Sequence, residues 1–224
     1  METETTIEVL VDAGVLECVP TGAGYEVAAS FVEAVDDRHE EEVADLGPSA
    51  LREHVRAVFD DEEVVAIVGD VGEDDREFAT ICLVLGERLG TTDDVARIAS
   101  VVQQYRRGVP RDEGAPETFL AVHGDRLETL TRLYERSVVY IWREDCEPCD
   151  AMRETLEGQF ETDPDDVALF AVYGPDYART LADAFGVVGG PTTLFVREGR
   201  VESRLQGAHH PESVGSEVQV LREE

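Results

Sequence analysis

Residues 138–152 read Val-Val-Tyr-Ile-Trp-Arg-Glu-Asp-Cys-Glu-Pro-Cys-Asp-Ala-Met. The apolar run 138–142 predicts a buried strand, and the residues after Cys149 read as the start of a helix. Cys146 and Cys149 stand at this change from strand to helix. A thiol at a helix N-terminus is favoured as a thiolate by the backbone amides and the helix dipole. Because the second thiol lies within reach to form a disulfide, the pair is suited to exchanging two electrons with a disulfide of another protein.

The same Cys-x-x-Cys spacing is also half of a structural zinc site, which requires four ligands. The other two cysteines, Cys18 and Cys82, and the five histidines do not have ligand spacing. Redox chemistry is therefore favoured over metal binding, and an inert pair is the third alternative. Cys82 lies on an apolar helical face and is predicted to be a core residue. For Cys18 a buried position is predicted, with a third redox thiol as the alternative.

The chain carries 50 acidic and 19 basic residues, giving a net charge of −31, and every basic residue is arginine. Residues 1–110 contain 26 acids and 8 arginines, and residues 111–224 contain 24 acids and 11 arginines. The acidity is therefore spread along the chain, which predicts a surface adapted to high salt and a halophilic source. In molar salt the Debye length is roughly 3 Å, so self-repulsion is largely screened.

The compartment is predicted from features that would mark export or membrane insertion. Residues 1–9 are acidic and do not resemble a signal peptide, and no apolar run approaches the length of about 20 residues that spans a membrane. The four cysteines are scattered, unlike the disulfide framework of small secreted proteins. We expect a soluble cytoplasmic protein without a membrane partner.

Residues 108–116, Gly-Val-Pro-Arg-Asp-Glu-Gly-Ala-Pro, cannot continue a helix and predict a linker between domains 1–107 and 117–224. Beyond it, strands and helices alternate. The predicted strands are 118–122, 138–142, 167–173, 192–196 and 201–205, and the predicted helices are 125–136, 147–160, 177–185 and 211–221. This order predicts an α/β domain whose mixed sheet has helices on both faces.

The N-terminal domain is predicted to be mainly helical, with helices near 49–59, 75–89 and 92–107. Residues 10–35 differ, because a helix ending at Gly14 is followed by two short strands and a new helix near Ala28. This segment resembles the latter part of a winged helix, a fold found in many DNA-binding regulators. However, the acidity of residues 1–110 argues against nucleic acid binding.

The only compact basic patch visible in the sequence combines Arg106 and Arg107 with Arg111. We therefore predict a helical docking or dimerisation module, with DNA binding as the alternative for this domain.

Residues 116–224 resemble a thioredoxin-fold domain of a halophilic archaeal type. The resemblance is carried by Trp142 four residues before the first cysteine, by the Cys-Glu-Pro-Cys motif, by Gly-Pro-Thr-Thr at 190–193, and by Gln-Gly-Ala at 206–208. It implies that Cys146 attacks a substrate disulfide and Cys149 resolves the mixed disulfide. It also implies that Pro191 follows a cis peptide bond and packs against the cysteine pair.

The resemblance further implies a shallow substrate groove bordered by Trp142, Gly190, Gly207, Ala208 and His209. No cofactor or metal is expected beyond the redox-active disulfide itself. The implied partners are protein disulfides and an electron donor similar to thioredoxin reductase, and the N-terminal domain could form a homodimer.

The sequence departs from ordinary thioredoxins close to the cysteines. Tyr140 replaces a buried aspartate, Asp145 replaces the usual tryptophan, and Asp150 replaces a frequent lysine. Four acids, Glu144, Asp145, Glu147 and Asp150, should raise the pKa of Cys146 against the helix dipole. His209 could stabilise a thiolate, or with His210 it could be a solvent-exposed loop histidine.

Two functions follow from these residues. The first is a thiol–disulfide oxidoreductase whose N-terminal domain selects partners or dimerises. The second is a redox-responsive adaptor or transcription-related regulator, in which the state of the disulfide switches what the N-terminal domain binds.

Overall fold

The structure, a computed structural model, describes residues 3–19, 24–90, 94–106, 108–162 and 164–223. The chain divides into two compact units, Met1–Gly108 and Val109–Glu224. Within the described ranges, every helix is too short or too polar to cross a membrane.

The first unit is mainly helical. Its elements are α1 (Thr3–Asp12), β1 (Leu16–Cys18), β2 (Tyr25–Val27), α2 (Ala29–Arg38), a π-helical turn (His39–Val43), α3 (Pro48–Val58), α4 (Glu62–Asp74), α5 (Arg76–Leu89) and α6 (Val95–Arg106). The part of the predicted third helix at 92–93, and residue 107, lie outside the described residues.

Helix α5 occupies the centre of the first unit. Nine consecutive residues, Phe78–Gly86, are buried, so the helix is covered on all sides rather than along one stripe. It contacts α2, α3, α4 and α6. Cys82 lies in this run and is fully buried, which confirms its predicted place in the core.

The predicted segment of two short strands is present. β1 and β2 pair antiparallel, with Leu16 opposite Val27 and Cys18 opposite Tyr25. Cys18 is exposed, so its predicted burial is wrong. The reason is that this two-stranded hairpin presents Cys18 to solvent instead of packing it into the core.

The second unit contains a five-stranded mixed sheet flanked by helices. Its elements are β3 (Leu120–Ala121), a 3₁₀ turn (Gly124–Arg126), α7 (Leu127–Leu133), β4 (Arg136–Trp142), α8 (Glu147–Gln159), β5 (Ala168–Tyr173), a 3₁₀ turn (Gly174–Tyr177), α9 (Ala178–Phe185), β6 (Thr192–Arg197), β7 (Arg200–Gln206) and α10 (Pro211–Arg222). Of the predicted linker 108–116, Gly108 belongs to the first unit and segment 109–116 belongs to this unit.

The strand order is β3-β5-β4-β6-β7. Strands β3, β5 and β4 run parallel, whereas β6 is antiparallel to β4 and β7 is antiparallel to β6. The β6–β7 turn places Glu198 and Gly199 at positive φ, which a two-residue hairpin turn of type I′ requires.

Helices cover both faces of this sheet. Because side chains alternate along a strand, Val138, Tyr140 and Trp142 of β4 pack on the side of α8 and α10, and Val139 and Ile141 pack on the side of α7 and α9. None of these five residues is more than 3% exposed. Strand β4 is therefore the centre of the core, and its C-terminal end leads directly into the cysteine loop.

Candidate active site

The cysteine pair lies at the N-terminus of α8. Cys146 is the residue that caps the helix, and its Sγ accepts a hydrogen bond from the Cys149 amide at 3.2 Å. The same amide also lies 2.8 Å from the Cys146 carbonyl oxygen. Pro148 is the second helical residue, where a missing N–H costs the helix nothing. The local sequence therefore starts the helix at the redox pair.

Cys146 and Cys149 are joined by a disulfide, with Cα atoms 5.2 Å apart. Both residues are buried, at 5% and 3% relative exposure. When the bond is reduced, the amides and the dipole of α8 favour the thiolate of a cysteine at this end of the helix. The geometry thus supports reversible two-electron chemistry between adjacent thiols.

Tyr140 lies beneath the pair and is fully buried. Its hydroxyl donates a hydrogen bond of 2.7 Å to the carbonyl oxygen of Cys149. Burial raises the pKa of the Tyr140 phenol well above its ordinary value, and the nearby carboxylates Asp150 and Glu157 raise it as well, against the lowering effect of Arg153. The side chain at this position is therefore a neutral donor.

A cleft of about 360 Å³ opens beside Cys149. It is lined by Glu113, Gly114, Tyr140, Trp142, Arg143, Glu144, Asp145, Cys149 and Asp150. The aromatic residues come from β4, and the charged residues come from the loop after β4, from segment 109–116 and from α8. The cleft gives one side of the cysteine pair access to solvent.

Trp142 packs under segment 109–116. A Cβ atom on Gly114 would lie 2.3 Å from Cε3 of Trp142, so only glycine fits this contact. Trp142 also contacts Tyr173, with ring centroids 4.9 Å apart. Arg111 lies over the Tyr173 ring and forms ion pairs with Glu144 and with Glu113. Segment 109–116 thereby covers the tryptophan that precedes the cysteines.

Pro191 immediately precedes β6, the strand that pairs with β4. The Gly190–Pro191 peptide bond is cis, as the resemblance implied. The Pro191 carbonyl accepts a hydrogen bond of 2.8 Å from the Gly207 amide, and Thr192 pairs with Ile141. Gly190 and Gly207 consequently lie at the end of the sheet where β4 leads into the cysteine loop.

Ala208 and His209 follow Gly207 on the way to α10. The backbone carbonyl of His209 accepts a 3.2 Å hydrogen bond from the Thr155 hydroxyl of α8. The His209 ring nitrogen Nε2 lies 3.0 Å from the Gln206 carbonyl oxygen. The loop therefore packs against the helix of the redox pair, and the ring itself is engaged by its own loop.

The four predicted acids near the pair, Glu144, Asp145, Glu147 and Asp150, are exposed. Glu144 is bonded to Arg111 and lies 3.4 Å from the Tyr173 hydroxyl. Asp145 adopts a φ of 50°, which aspartate tolerates better than most side chains. The acidic rim is thus partly neutralised by an arginine from segment 109–116.

Three contributors to the site were not predicted. Arg111 and Gly114 lie in the segment read as a linker, and the hydrogen bond of Tyr140 to the backbone of α8 depends on packing between strand and helix. The only available signal was the presence of tyrosine where the resemblance implied a buried acid. A glycine between prolines carries no sign that it faces a tryptophan.

Two arginines of the predicted basic patch, Arg106 and Arg111, form ion pairs with carboxylates. Arg106 is bonded to Asp36 and, at 3.0 Å, to Glu77, and Arg111 is bonded to Glu144. Arg107 lies outside the described residues. In the described part of the chain, no three histidine, cysteine or acidic residues are grouped as a metal site would require.

No family model and no curated protein matches this sequence. Among solved structures, it is similar to a mutant thioredoxin from Halobacterium salinarum NRC-1, at 19% identity and a TM-score of 0.41, over 49% of this chain and 96% of that chain. It is similar to thioredoxin f from spinach chloroplast (short form), at 23% identity and a TM-score of 0.41, over 46% of this chain and 91% of that chain. It is also similar to a thioredoxin from Malassezia sympodialis, at 22% identity and a TM-score of 0.38, over 43% of this chain and 87% of that chain.

The fold assignment itself rests on the observed strand order and directions. The second unit has the thioredoxin fold, an α/β architecture with a mixed sheet between helices, and the first unit is mainly α-helical. The predicted fold class is confirmed. A bonded Cys-x-x-Cys pair lies in that fold at the N-terminus of the helix after the central strand.

Proposed function

We propose that this protein is a thiol–disulfide oxidoreductase that acts on protein disulfides through Cys146 and Cys149. The observation that carries the proposal is the disulfide at the N-terminus of α8, directly after the buried central strand β4. This position supplies one thiol with stabilisation as a thiolate and places a second thiol at bonding distance.

The reaction transfers two electrons from the dithiol to the substrate. The Cys146 thiolate attacks one sulfur of the substrate disulfide, forms a mixed disulfide and releases the first substrate thiolate. Cys149 then loses its proton and attacks Cys146 Sγ, which forms the intramolecular disulfide and releases the second thiolate. The two released thiolates take up protons, and the protein is oxidised while its substrate is reduced.

We assign the substrate groove to the backbone around Gly190, Pro191 and Gly207. Trp142 supports the cysteine loop from below, and Ala208 and His209 form the adjoining edge. The disulfide serves as the redox group, so the reaction needs no further cofactor.

The cycle is completed outside this chain. An electron donor similar to thioredoxin reductase would restore the dithiol. We place the protein in the cytoplasm of a halophile, with the first unit selecting partners or forming a homodimer.

Insulin reduction in molar salt, with dithiothreitol as the electron source, tests the activity. The wild-type protein is expected to accelerate precipitation of the insulin B chain, and Cys146→Ser is expected to reduce the rate to that of dithiothreitol alone. Cys18→Ser is the matched control, because Cys18 is an exposed free cysteine of the same chain. Equal rates for the wild type and Cys146→Ser would refute the proposal.

Trapping identifies the substrates. In Cys149→Ala the resolving thiol is absent, so the mixed disulfide at Cys146 persists and captured proteins can be released by reductant and identified. The double variant Cys146→Ser, Cys149→Ala is the control and should capture none of them, and both proteins also carry Cys18→Ser because Cys18 is an exposed thiol.

A further inference from the structure

The hydroxyl of Tyr140 holds the backbone of the second cysteine from beneath the helix. It donates to the carbonyl oxygen of Cys149 at 2.7 Å, and the tyrosine is fully buried on the central strand. The backbone amide of Cys149 is hydrogen-bonded as well, to the carbonyl oxygen and the Sγ of Cys146. Cys149 is therefore fixed on both sides of its Cα atom.

These two anchors respond differently to the redox reaction. The bond from the Cys149 amide to Sγ of Cys146 involves a sulfur that attacks, carries and releases substrate. The bond from Tyr140 involves a backbone carbonyl, which does not change when either cysteine is oxidised or reduced. Tyr140 is consequently a side-chain anchor that persists while Cys146 carries a substrate, beside the backbone bond from the Cys149 amide to the Cys146 carbonyl oxygen.

We propose that Tyr140 is a positioning residue that keeps Cys149 aligned on Cys146 for resolution of the mixed disulfide. The proposal deepens the proposed function and rests on it. Losing the hydroxyl would leave the first turn of α8 freer to move, so the second thiol would spend less time in line with the mixed disulfide. The first attack, by Cys146 on a substrate, does not require Cys149 to be aligned.

Tyr140 positions without exchanging a proton. Burial among apolar neighbours keeps its phenol protonated over the range in which thiols titrate, in agreement with the raised pKa. The charged groups that face it are Arg153, Asp150 and Glu157 on α8. Further charged groups line the cleft that Tyr140 also lines. They are Glu113 from segment 109–116 and Arg143, Glu144 and Asp145 from the loop after β4. All of these carboxylates except Glu157 belong to the open cleft beside Cys149.

A small neutral disulfide separates the two steps. Reduced protein reacts with 4,4′-dithiodipyridine, whose first thiopyridone is released when the Cys146 thiolate attacks and whose second is released when Cys149 displaces it from Cys146. Two thiols are oxidised to one disulfide, and one reagent molecule is reduced to two thiopyridones. Cys18 is exposed and would react as well, so all proteins carry Cys18→Ser.

Tyr140→Phe keeps the ring and removes only the hydroxyl. We expect the second phase to be about three- to tenfold slower, the range that follows from loss of one buried hydrogen bond, with the first phase unchanged within about twofold. Tyr134→Phe is the matched control, because Tyr134 packs on Phe170 on the opposite face of the sheet and should change neither phase.

Three results would overturn the proposal. They are an unchanged rate of the second phase, an equal slowing of both phases, and a slowing that disappears under matched conditions. Conditions are matched when the wild type and Tyr140→Phe are each measured equally far below their own melting temperatures. The last result would mean that the hydroxyl affects only general stability.

The pH profile tests the absence of proton exchange. The rate of the second phase should increase with pH and follow a single thiol ionisation in both the wild type and Tyr140→Phe. An additional ionisation in the wild type that is lost in Tyr140→Phe would show that the phenol acts as a base and would overturn the positioning role. Insulin reduction tests the proposed function, and its failure would refute that function. The two dithiodipyridine phases test the role of Tyr140 independently, because this reagent replaces the protein substrate.

Discussion

The guanidinium carbon of Arg111 lies 3.9 Å from the centroid of the Tyr173 ring. Its nitrogens form ion pairs with Glu144, from the loop before the cysteines, and with Glu113, from its own segment. Tyr173 in turn contacts Trp142. One arginine therefore joins segment 109–116 to the end of the central strand.

Removing this arginine should weaken the second unit. Arg111→Ala is expected to lower the urea midpoint slightly, because it removes a cation–π contact between two half-buried side chains and two surface ion pairs. Arg111→Lys should retain part of the stability, since lysine keeps the charge and loses the planar guanidinium. Urea unfolding followed by the fluorescence of Trp142, the only tryptophan, measures both. Arg179→Ala is the control, because the Arg179 side chain is 95% exposed, and an equal loss there would contradict the assignment.

Gly114 should tolerate no side chain. A Cβ atom would lie 2.3 Å from Trp142, so Gly114→Ala must displace the indole or the segment, at a cost of about 1–3 kcal/mol. The emission of Trp142, which is 3% exposed, should shift to the red as its cover loosens.

Gly158→Ala provides the opposite expectation. Beyond the backbone of α8 itself and the two neighbours in sequence, no atom of the described residues lies within 4 Å of a Cβ at Gly158. This glycine is exposed in α8, so alanine should stabilise the helix by up to about 1 kcal/mol. If both alanine variants stabilise the protein, the close contact between Gly114 and Trp142 does not exist in solution.

The redox half of the fold could be predicted because its signals are local. An apolar run buried on both faces specified β4, and the cysteine and proline residues that follow specified the start of α8. Gly186 takes a left-handed φ of 63° at the end of α9, as a glycine after a helical pattern indicates. Each of these elements depends mainly on residues close to it in sequence.

Helix α4 could not be predicted in the same way. Its residues include Val64, Val65 and Val68 with two glycines, a composition that favours a strand as much as a helix. The structure explains Gly72 by tertiary packing, because a Cβ there would lie 2.6 Å from Cβ of Ala79 on α5. Contacts across the sequence, such as this one and that of Arg111 with Tyr173, leave no local pattern.

The two free cysteines should differ sharply in reactivity. Cys18 is exposed, whereas Cys82 is fully buried in α5, where burial and then the charge of Asp75 raise the pKa of its thiol. In reduced native protein iodoacetamide should modify Cys18 readily and Cys82 at least about a thousandfold more slowly, since Cys82 must wait for unfolding. Mass spectrometry of the alkylated peptides measures both rates. Modification of Cys82 at the rate of Cys18 would contradict its place in the core, and urea should abolish the difference.

The ion pair between Asp166 and Arg222 should make stability depend on pH. Arg222 Nε and Nη2 donate to the two carboxylate oxygens at 2.7 and 2.8 Å, and this hydrogen bonding lowers the pKa of Asp166. Since the folded-state pKa lies below the unfolded value, the stabilisation is present at neutral pH and is lost as the pH falls through the folded-state pKa. The pair ties the end of α10 to the segment before β5.

Asp166→Asn should therefore lower the free energy of unfolding at pH 7 by less than about 1 kcal/mol, because the pair is at the surface. The difference from the wild type should shrink as the pH falls below about 4, where the wild-type carboxyl begins to be protonated in the unfolded chain, and it should also shrink in molar salt. Urea titrations at several pH values and two salt concentrations measure this, with the adjacent exposed Asp165→Asn as the control. A penalty for Asp166→Asn that stays constant from pH 7 into acid would show that the carboxylate charge contributes nothing, and that the side chain acts only through its shape and hydrogen bonds.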